Sequence, residues 1–451
     1  MPVGQQPAPR LNILRTLKIG SFHIGSSFVD ILTSGVLNRV LITELGLWAT
    51  PVALLSALRY LLAPLSIWAG YRSDTHPLFG MHRLPYIWLG RLLMLLSLPM
   101  LPVVTVILAA NHTSVLGWVL ATLAFLIYGI GSLISGSTYL ALVRDSAPPA
   151  KRGVAVTIVQ IFLLVSFPIS AVVYGKMMPK YDPIIFWQVV LAGMAIAAIF
   201  FFYSIFGEEQ PGQAIVTDDP QDQMPFLALL GQMWADRRTR MFFLFMSLGA
   251  ISAFAQDAVL EPFGGDVFGM SVGETTRFNA YWGVGALVSL IATVIVTRKR
   301  MAHEQSGTTL IGMVLTAMPF IMLAFIAMSA TRWLLIPALV CFGLGYGVYT
   351  AGAISLMMAM TSDKRAGAYL GLWSVSQLVF RGVGIFLGGA IHDTAILLGA
   401  SAPLAYASVF SLEALGMLAC ITLLIQADVP GFVRNAGAQV TPTATLAAVD
   451  M

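Results

Sequence analysis

Apolar positions along this chain gather into long runs separated by short polar connections. Runs of about 20 to 28 apolar residues can be placed at 19–45, 48–71, 84–110, 115–143, 153–178 and 183–206. After a polar stretch the pattern resumes at 240–262, 278–297, 308–329, 332–361, 366–390 and 402–426. Each run, read as a helix, is long enough to cross a hydrocarbon core of about 30 Å. The pattern predicts an all-α membrane protein with twelve transmembrane helices.

One connection is much longer than the rest and falls at the middle of the chain, at 207–239. It opens acidic and is expected to be flexible (EEQPGQAIVTDDPQDQ), then turns into MPFLALLGQMWADRRTR, a candidate interfacial helix ending in a basic cluster. It divides the chain into an N-terminal six-helix half (1–206) and a C-terminal six-helix half (240–430), followed by a flexible tail (431–451). A weak repeat supports the division. Gly129-Ile130-Gly131 corresponds to Gly343-Leu344-Gly345, and Lys151-Arg152-Gly153 to Lys364-Arg365-Ala366-Gly367. Two parallel six-helix halves describe the major facilitator fold. The connection after the second run adds Gly70-x3-Asp74, Gly80 and Arg83, resembling that superfamily's inter-helix signature, though longer and poorer in basic residues. The equivalent connection in the second half, from Arg298 to Glu304, lacks the aspartate.

Composition excludes a soluble enzyme. Hydrophobic residues make up 58% of the 451 positions and charged residues 10%, against about 25% charged in a soluble domain. The net charge of +4 does not point to nucleic acid, because the basic residues sit at the ends of the apolar runs. They also divide by side. Alternate connections carry Arg15, Lys18, Arg72, Arg83, Arg144, Arg152, Arg237, Arg238, Arg298, Lys299 and Arg300, whereas the opposite side holds only Lys176, Lys180, Arg277 and Arg332. The positive-inside rule then predicts that both termini are cytoplasmic. Cys341 and Cys420 match no metal or disulfide spacing and read as small buried hydrophobes. No nucleotide-binding loop, nucleophile triad or metal cluster appears.

Ionisable residues inside membrane segments are costly and tend to mark function. Asp30, Arg39, Arg59, Asp257, Arg381 and Glu413 fall within the runs, with Glu44 and Glu261 near run ends. At about 1.5 Å per residue, Asp30, Arg59 and Arg381 come out near the midplane and Arg39, Asp257 and Glu261 further out. The first and seventh spans flank the central cavity in the major facilitator arrangement. The expected pairings are therefore Arg39 with Asp257 or Glu261 across the seam between the halves, and Asp30 with Arg59 or Arg381. Such pairs either clasp the halves together or line a cavity and meet a cargo; the sequence leaves both open. Glu413 belongs to a span usually peripheral in this fold and is expected to face a partner or a bound pigment. Gly343-x3-Gly347 and Gly384-x3-Gly388 are expected to bring helices close together.

Four segments together resemble one family. They are Leu37-Asn38-Arg39-Val40 running into Glu44-Leu45-Gly46; Arg72-Ser73-Asp74-Thr75-His76 leading to Arg83-Leu84-Pro85-Tyr86-Ile87-Trp88-Leu89-Gly90; the stretch from Gln256 to Thr276; and Arg381-Gly382-x-Gly384 through Gly388-Gly389 to Asp393. They look like the PucC-type, bacteriochlorophyll-delivery family of major-facilitator-like proteins of phototrophic bacteria, over roughly residues 15–426. The resemblance implies a non-enzymatic assembly factor in the bacterial cytoplasmic or intracytoplasmic membrane. Such a protein binds (bacterio)chlorophyll, at least transiently, and delivers it to light-harvesting antenna polypeptides or other photosynthetic complex subunits. With it Asn38, Arg39, Gln256, Asp257, Glu261 and Arg381 become the expected cargo-binding or gating set, Arg39 and Arg381 donating to carbonyl oxygens. His23 and His392 are candidate axial ligands for a chlorin magnesium. Two other functions stay open: a proton-coupled transporter of a small solute, and a permanent structural subunit of a photosynthetic complex.

Overall fold

The computed structural model describes residues 11–148, 151–212, 231, 234–360 and 366–436. Apart from one isolated bridge between Leu78 and Met81, its described secondary structure is helical. Eleven helical spans are long and apolar enough to cross a membrane, from Ala49–Thr75 through Ala402–Arg434. The twelfth is the first in the chain, over 13–44, which is interrupted rather than absent. It runs through helices Ile13–Gly20 and Phe22–Ile31, a π-helical turn at Leu32–Val36, a short turn at Leu37–Arg39 and a second π turn at Val40–Glu44. The expected count is thus met, and the exception lies where the expected site is. Isolated π turns inside helices are frequent at functional sites.

Local sequence sets the helix ends. Asn12 accepts the backbone N–H of Arg15. Asp182 accepts those of Ile184 and Ile185 at the start of Pro183–Ile205, and Asp236 that of Thr239 at the start of Arg237–Phe254. Each satisfies donors that a helix N-terminus leaves unpaired. The glycine pairs perform as expected. A Cβ on Gly343 would collide with the Trp282 carbonyl, and one on Gly388 with the Ala255 carbonyl. The tenth span thereby meets the eighth, and the eleventh meets the seventh, backbone to backbone.

The halves join at the midplane and at the face remote from the termini. The outer half of the second span (Ala49–Leu61) packs along the eleventh, while its other half (Pro64–Thr75) packs on the fourth span of its own half. The fifth span meets the eighth at its far end, where Gly175 lies against the Gly273 backbone. The space between the halves therefore opens toward the termini.

Two expectations about connections change, and one about a cysteine. The acidic start of the central linker is fixed rather than free. Glu209 accepts the backbone N–H groups of His82, Arg83 and Leu84 at 2.6–3.2 Å, capping the third span, and Glu208 pairs with Arg15 at 2.6 Å and Lys18 at 2.8 Å. Most of the candidate interfacial helix lies outside the described residues. Residues 429–436, partly assigned to a flexible tail, form a further helix, and Cys341 is exposed on its span, leaving only Cys420 as a buried small hydrophobe.

Candidate functional site

A cavity of roughly 350 Å³ lies between the halves near the midplane. One wall is polar. Arg59 of the second span pairs with Asp30 of the first at 2.7 Å, and Tyr128 donates to the same Asp30 oxygen at 2.6 Å. Arg381 of the eleventh span pairs with Asp257 at 2.8 Å. Tyr60 lies between the two arginines, with Arg59 at 4.5 Å and Arg381 at 4.7 Å from its ring centroid. The opposite wall is apolar and aromatic, built from Leu163, Leu164 and Phe167 of the fifth span, Trp282 and Ala286 of the eighth and Tyr346 of the tenth. Phe254 completes it and carries Arg381 on its face at 3.9 Å.

The seventh span breaks just where it enters this cavity. Its helix ends at Phe254, passes through a 3₁₀ turn at Ala255–Ala258, and restarts as Leu260–Phe268. Glu413 of the twelfth span holds the break, accepting the Gln256 backbone N–H at 2.6 Å. It is 2% exposed, so it faces the protein interior rather than a partner. The restart turns Glu261 into the cavity wall, where it accepts Asn279 Nδ2 at 2.6 Å and the Thr276 hydroxyl at 3.3 Å.

The expected pairings come out in part. Asp30 takes Arg59, as one alternative had it. Arg39 meets neither Asp257 nor Glu261. It pairs with Glu44 at 3.1 Å and donates to the Met270 carbonyl at 3.0 Å. The physical reason is the helix break, which turns Asp257 toward Arg381 and packs Gly265 against the Arg39 guanidinium. The seam is where it was expected, but it is closed by a carbonyl and a glycine notch.

Of the expected site residues, Asp30, Arg59, Asp257, Glu261 and Arg381 line the cavity. Asn38 borders a small adjoining pocket and accepts the Ser56 hydroxyl at 2.8 Å. Arg39, Gln256, His23 and His392 are not among the cavity-lining residues. His23 packs edge-on against the stacked rings of Phe22 and Tyr139, with both ring nitrogens buried and unpartnered. His392 Nδ1 lies 3.0 Å from Asp393, and its ring lies tilted against that of Tyr406 at 4.5 Å. Asp393 in turn accepts the N–H groups of Ala49 and Thr50 at 3.1 and 2.6 Å, capping the second span from the eleventh and sealing the far face.

Sequence reading missed Tyr60, Asn279, Trp282, Tyr346 and the capping role of Asp393. It also missed Arg91 of the third span, 6% exposed and lying over the rings of Phe22 at 4.2 Å and Phe201 at 4.4 Å. An arginine inside an apolar run was readable as unusual; the aromatics of the wall were indistinguishable from lipid-facing ones.

Residues 36–431 match the family described as PUCC protein. Protein PucC of Rhodobacter capsulatus is 28% identical over 94% of this chain and 94% of its own length. The bacteriochlorophyll synthase 44.5 kDa chain of the same organism is 27% identical over 85% of this chain and 88% of its own. Among solved structures, that of a nucleoside transporter NupG variant superposes with a TM-score of 0.69 at 13% identity, covering 92% of this chain and all of that one. That likeness shows the major facilitator fold.

Proposed function

The chain belongs to the PucC family of multi-pass membrane proteins, and on that premise we propose that it is an assembly factor whose central cavity holds a (bacterio)chlorophyll bound for light-harvesting antenna polypeptides. One observation carries the reading: the cavity joins a broad aromatic wall to a polar wall whose arginines and aspartates are neutralised in pairs. A chlorin is a flat apolar ring with keto and ester groups at its edge, and it needs such a surface. Small-molecule pockets occupy about 300–1,000 Å³, and this cavity falls at the lower end of that range. Tyr60, Arg59 and Arg381 can donate to edge carbonyls, and Trp282, Phe167 and Tyr346 offer ring faces. The name of the bacteriochlorophyll synthase chain supports a place near this pigment.

The protein acts without chemistry of its own, in the bacterial cytoplasmic or intracytoplasmic membrane, with both termini cytoplasmic by the positive-inside rule. Its exposed apolar faces, including Val284, Val288, Ile291 and Ile295 of the eighth span, are available to lipid and to the helices of antenna or other photosynthetic complex subunits.

A second reading, proton-coupled solute transport, draws on the transporter-like fold and on Glu261, a cavity carboxylate with no salt bridge among the described residues. Purification from a phototrophic host decides between them. The pigment reading expects a chlorin absorption band and reduced antenna absorption on deletion of the gene, with pigment synthesis intact. Pigment-free protein that still supports assembly overturns the carrier role. Stoichiometric retention in the finished complex would make it a structural subunit instead.

A further inference from the structure

Three carboxylates face the cavity, and two are already neutralised: Asp30 by Arg59 at 2.7 Å and Asp257 by Arg381 at 2.8 Å. Glu261 is different. It is 4% exposed, and among the described residues no arginine or lysine nitrogen pairs with it within 4.0 Å. Arg39, on the adjacent span, is engaged by Glu44 and the Met270 carbonyl. Leaving an ion buried and unpaired costs several kcal/mol, about 3–5 where a partner has been removed. Such a group either keeps its proton or is completed by a ligand.

Glu261 is also held in place. Asn279 donates to Oε1, and the Asn279 carbonyl oxygen is itself fixed by the indole N–H of Trp282 at 3.2 Å. Thr276 donates to Oε2 while also bonding the Val272 carbonyl at 2.9 Å. Each carboxylate oxygen keeps a lone pair beyond the one these donors use. An oriented oxygen donor with neutral supporting groups is what a hard divalent metal takes as a ligand, and such supporting contacts fix a ligand's direction. Glu209 and Glu413, also buried and without an arginine or lysine partner among the described residues, are engaged by backbone N–H groups and are not in the cavity wall.

We propose that Glu261 is the axial ligand to the magnesium of the tetrapyrrole in this cavity, with Asn279 and Thr276 as its positioning residues and the neighbouring Trp282 against the ring. This rests on the pigment-carrier reading above. On binding, Glu261 gives one carboxylate lone pair to the metal in place of at most one water, and a proton held by the buried carboxyl leaves to solvent; no electron moves.

The test is a titration of purified full-length protein in nanodiscs with chlorophyll a and with its metal-free counterpart pheophytin a, followed by absorption and tryptophan quenching. Wild type should bind the magnesium form at least tenfold more tightly. Glu261→Leu, close in size and able to lie against Gly35, should lose the preference, its affinities for the two forms becoming equal whatever their common value. Glu261→Gln, which keeps the Asn279 contact, should retain a reduced preference, and Asn279→Ala should lower the ratio of the two affinities. Equal affinities in wild type, or a preference that survives Glu261→Leu, overturns the ligand assignment while leaving the carrier reading intact. If neither pigment binds wild type, both fall.

Discussion

Arg39 and Glu261 pass each other across the seam between the halves without pairing. The Arg39 guanidinium lies in a notch left by Gly265, and the Glu261 carboxylate lies in a notch left by Gly35. Each charged residue stands one helical turn from the glycine that receives its counterpart, so the two elements interlock reciprocally. Gly35 lies in the π turn at Leu32–Val36 and Gly265 in the restarted helix Leu260–Phe268.

Filling either notch should loosen the seam. Gly35→Ala and Gly265→Ala each place a methyl group where a buried charged side chain now sits, and overpacking of this kind costs about 1–3 kcal/mol. Gly70→Ala is the control: it is helical with open space around it, and the change should be neutral or stabilising by about 0.5–1 kcal/mol. Melting temperatures in detergent check all three, and equal behaviour would mean the notches carry no packing.

The two ion pairs, which meet through the Tyr60 ring between their arginines, predict a pattern of couplings. Asp257→Asn and Arg381→Gln should couple by about 0.5–3 kcal/mol in a double-mutant cycle. Asp30→Asn with Arg381→Gln should be close to additive, because Asp30 is engaged by Arg59 and Tyr128. Single losses should fall at the low end of the roughly 3–5 kcal/mol expected of a broken buried pair, since the Arg381 and Asp257 side chains are 29% and 21% exposed. Strong coupling between Asp30 and Arg381 would merge the pairs into one cluster.

How much of this was legible in the sequence follows from what each feature depends on. Span count and the two halves depend on run length and on Gly129 and Gly343 recurring at the same place, which no contact is needed to see. The membership of Asp30, Arg59, Asp257, Glu261 and Arg381 in the cavity wall was legible because charge inside an apolar run has few reasons to exist. Their partners were not, because partner choice depends on helix rotation. The 3₁₀ turn at Ala255–Ala258 rotates Asp257 away from Arg39, and that turn is held by Glu413, 157 residues later. The fixed start of the linker was hidden for the same reason: Glu209 looked like part of an acidic, flexible stretch until the third span's open N-terminus came to lie beside it.

That clamp gives a third prediction. Glu209 accepts three backbone N–H groups, and replacing such a helix cap costs about 0.5–2 kcal/mol. Glu209→Ala should lower the melting temperature more than Glu208→Ala, whose partners Arg15 and Lys18 are 39% and 28% exposed on their side chains and can turn to water. The reverse order would place the main anchor on the first span instead.

Asp393 should govern the seal at the far face. Its carboxylate is the one side chain of the eleventh span seen to cap the second, through the N–H groups of Ala49 and Thr50, with the Thr50 hydroxyl reaching the Gly389 carbonyl at 3.3 Å beside it. Removing the acceptor leaves two helix N-terminal donors unpaired where the halves meet, and water entering to satisfy them would part the spans. Ser34→Cys, placed in the cavity wall in a background with Cys341→Ser and Cys420→Ser, reports the result. A membrane-impermeant maleimide applied to spheroplasts reaches the far face under the proposed orientation. Labelling should be slow in the parent, several-fold faster with Asp393→Ala, and intermediate with Asp393→Asn, which keeps one carbonyl acceptor. Unchanged labelling in Asp393→Ala would show that the glycine packing of Gly389 against Ala49 and Ala53 closes the far face by itself.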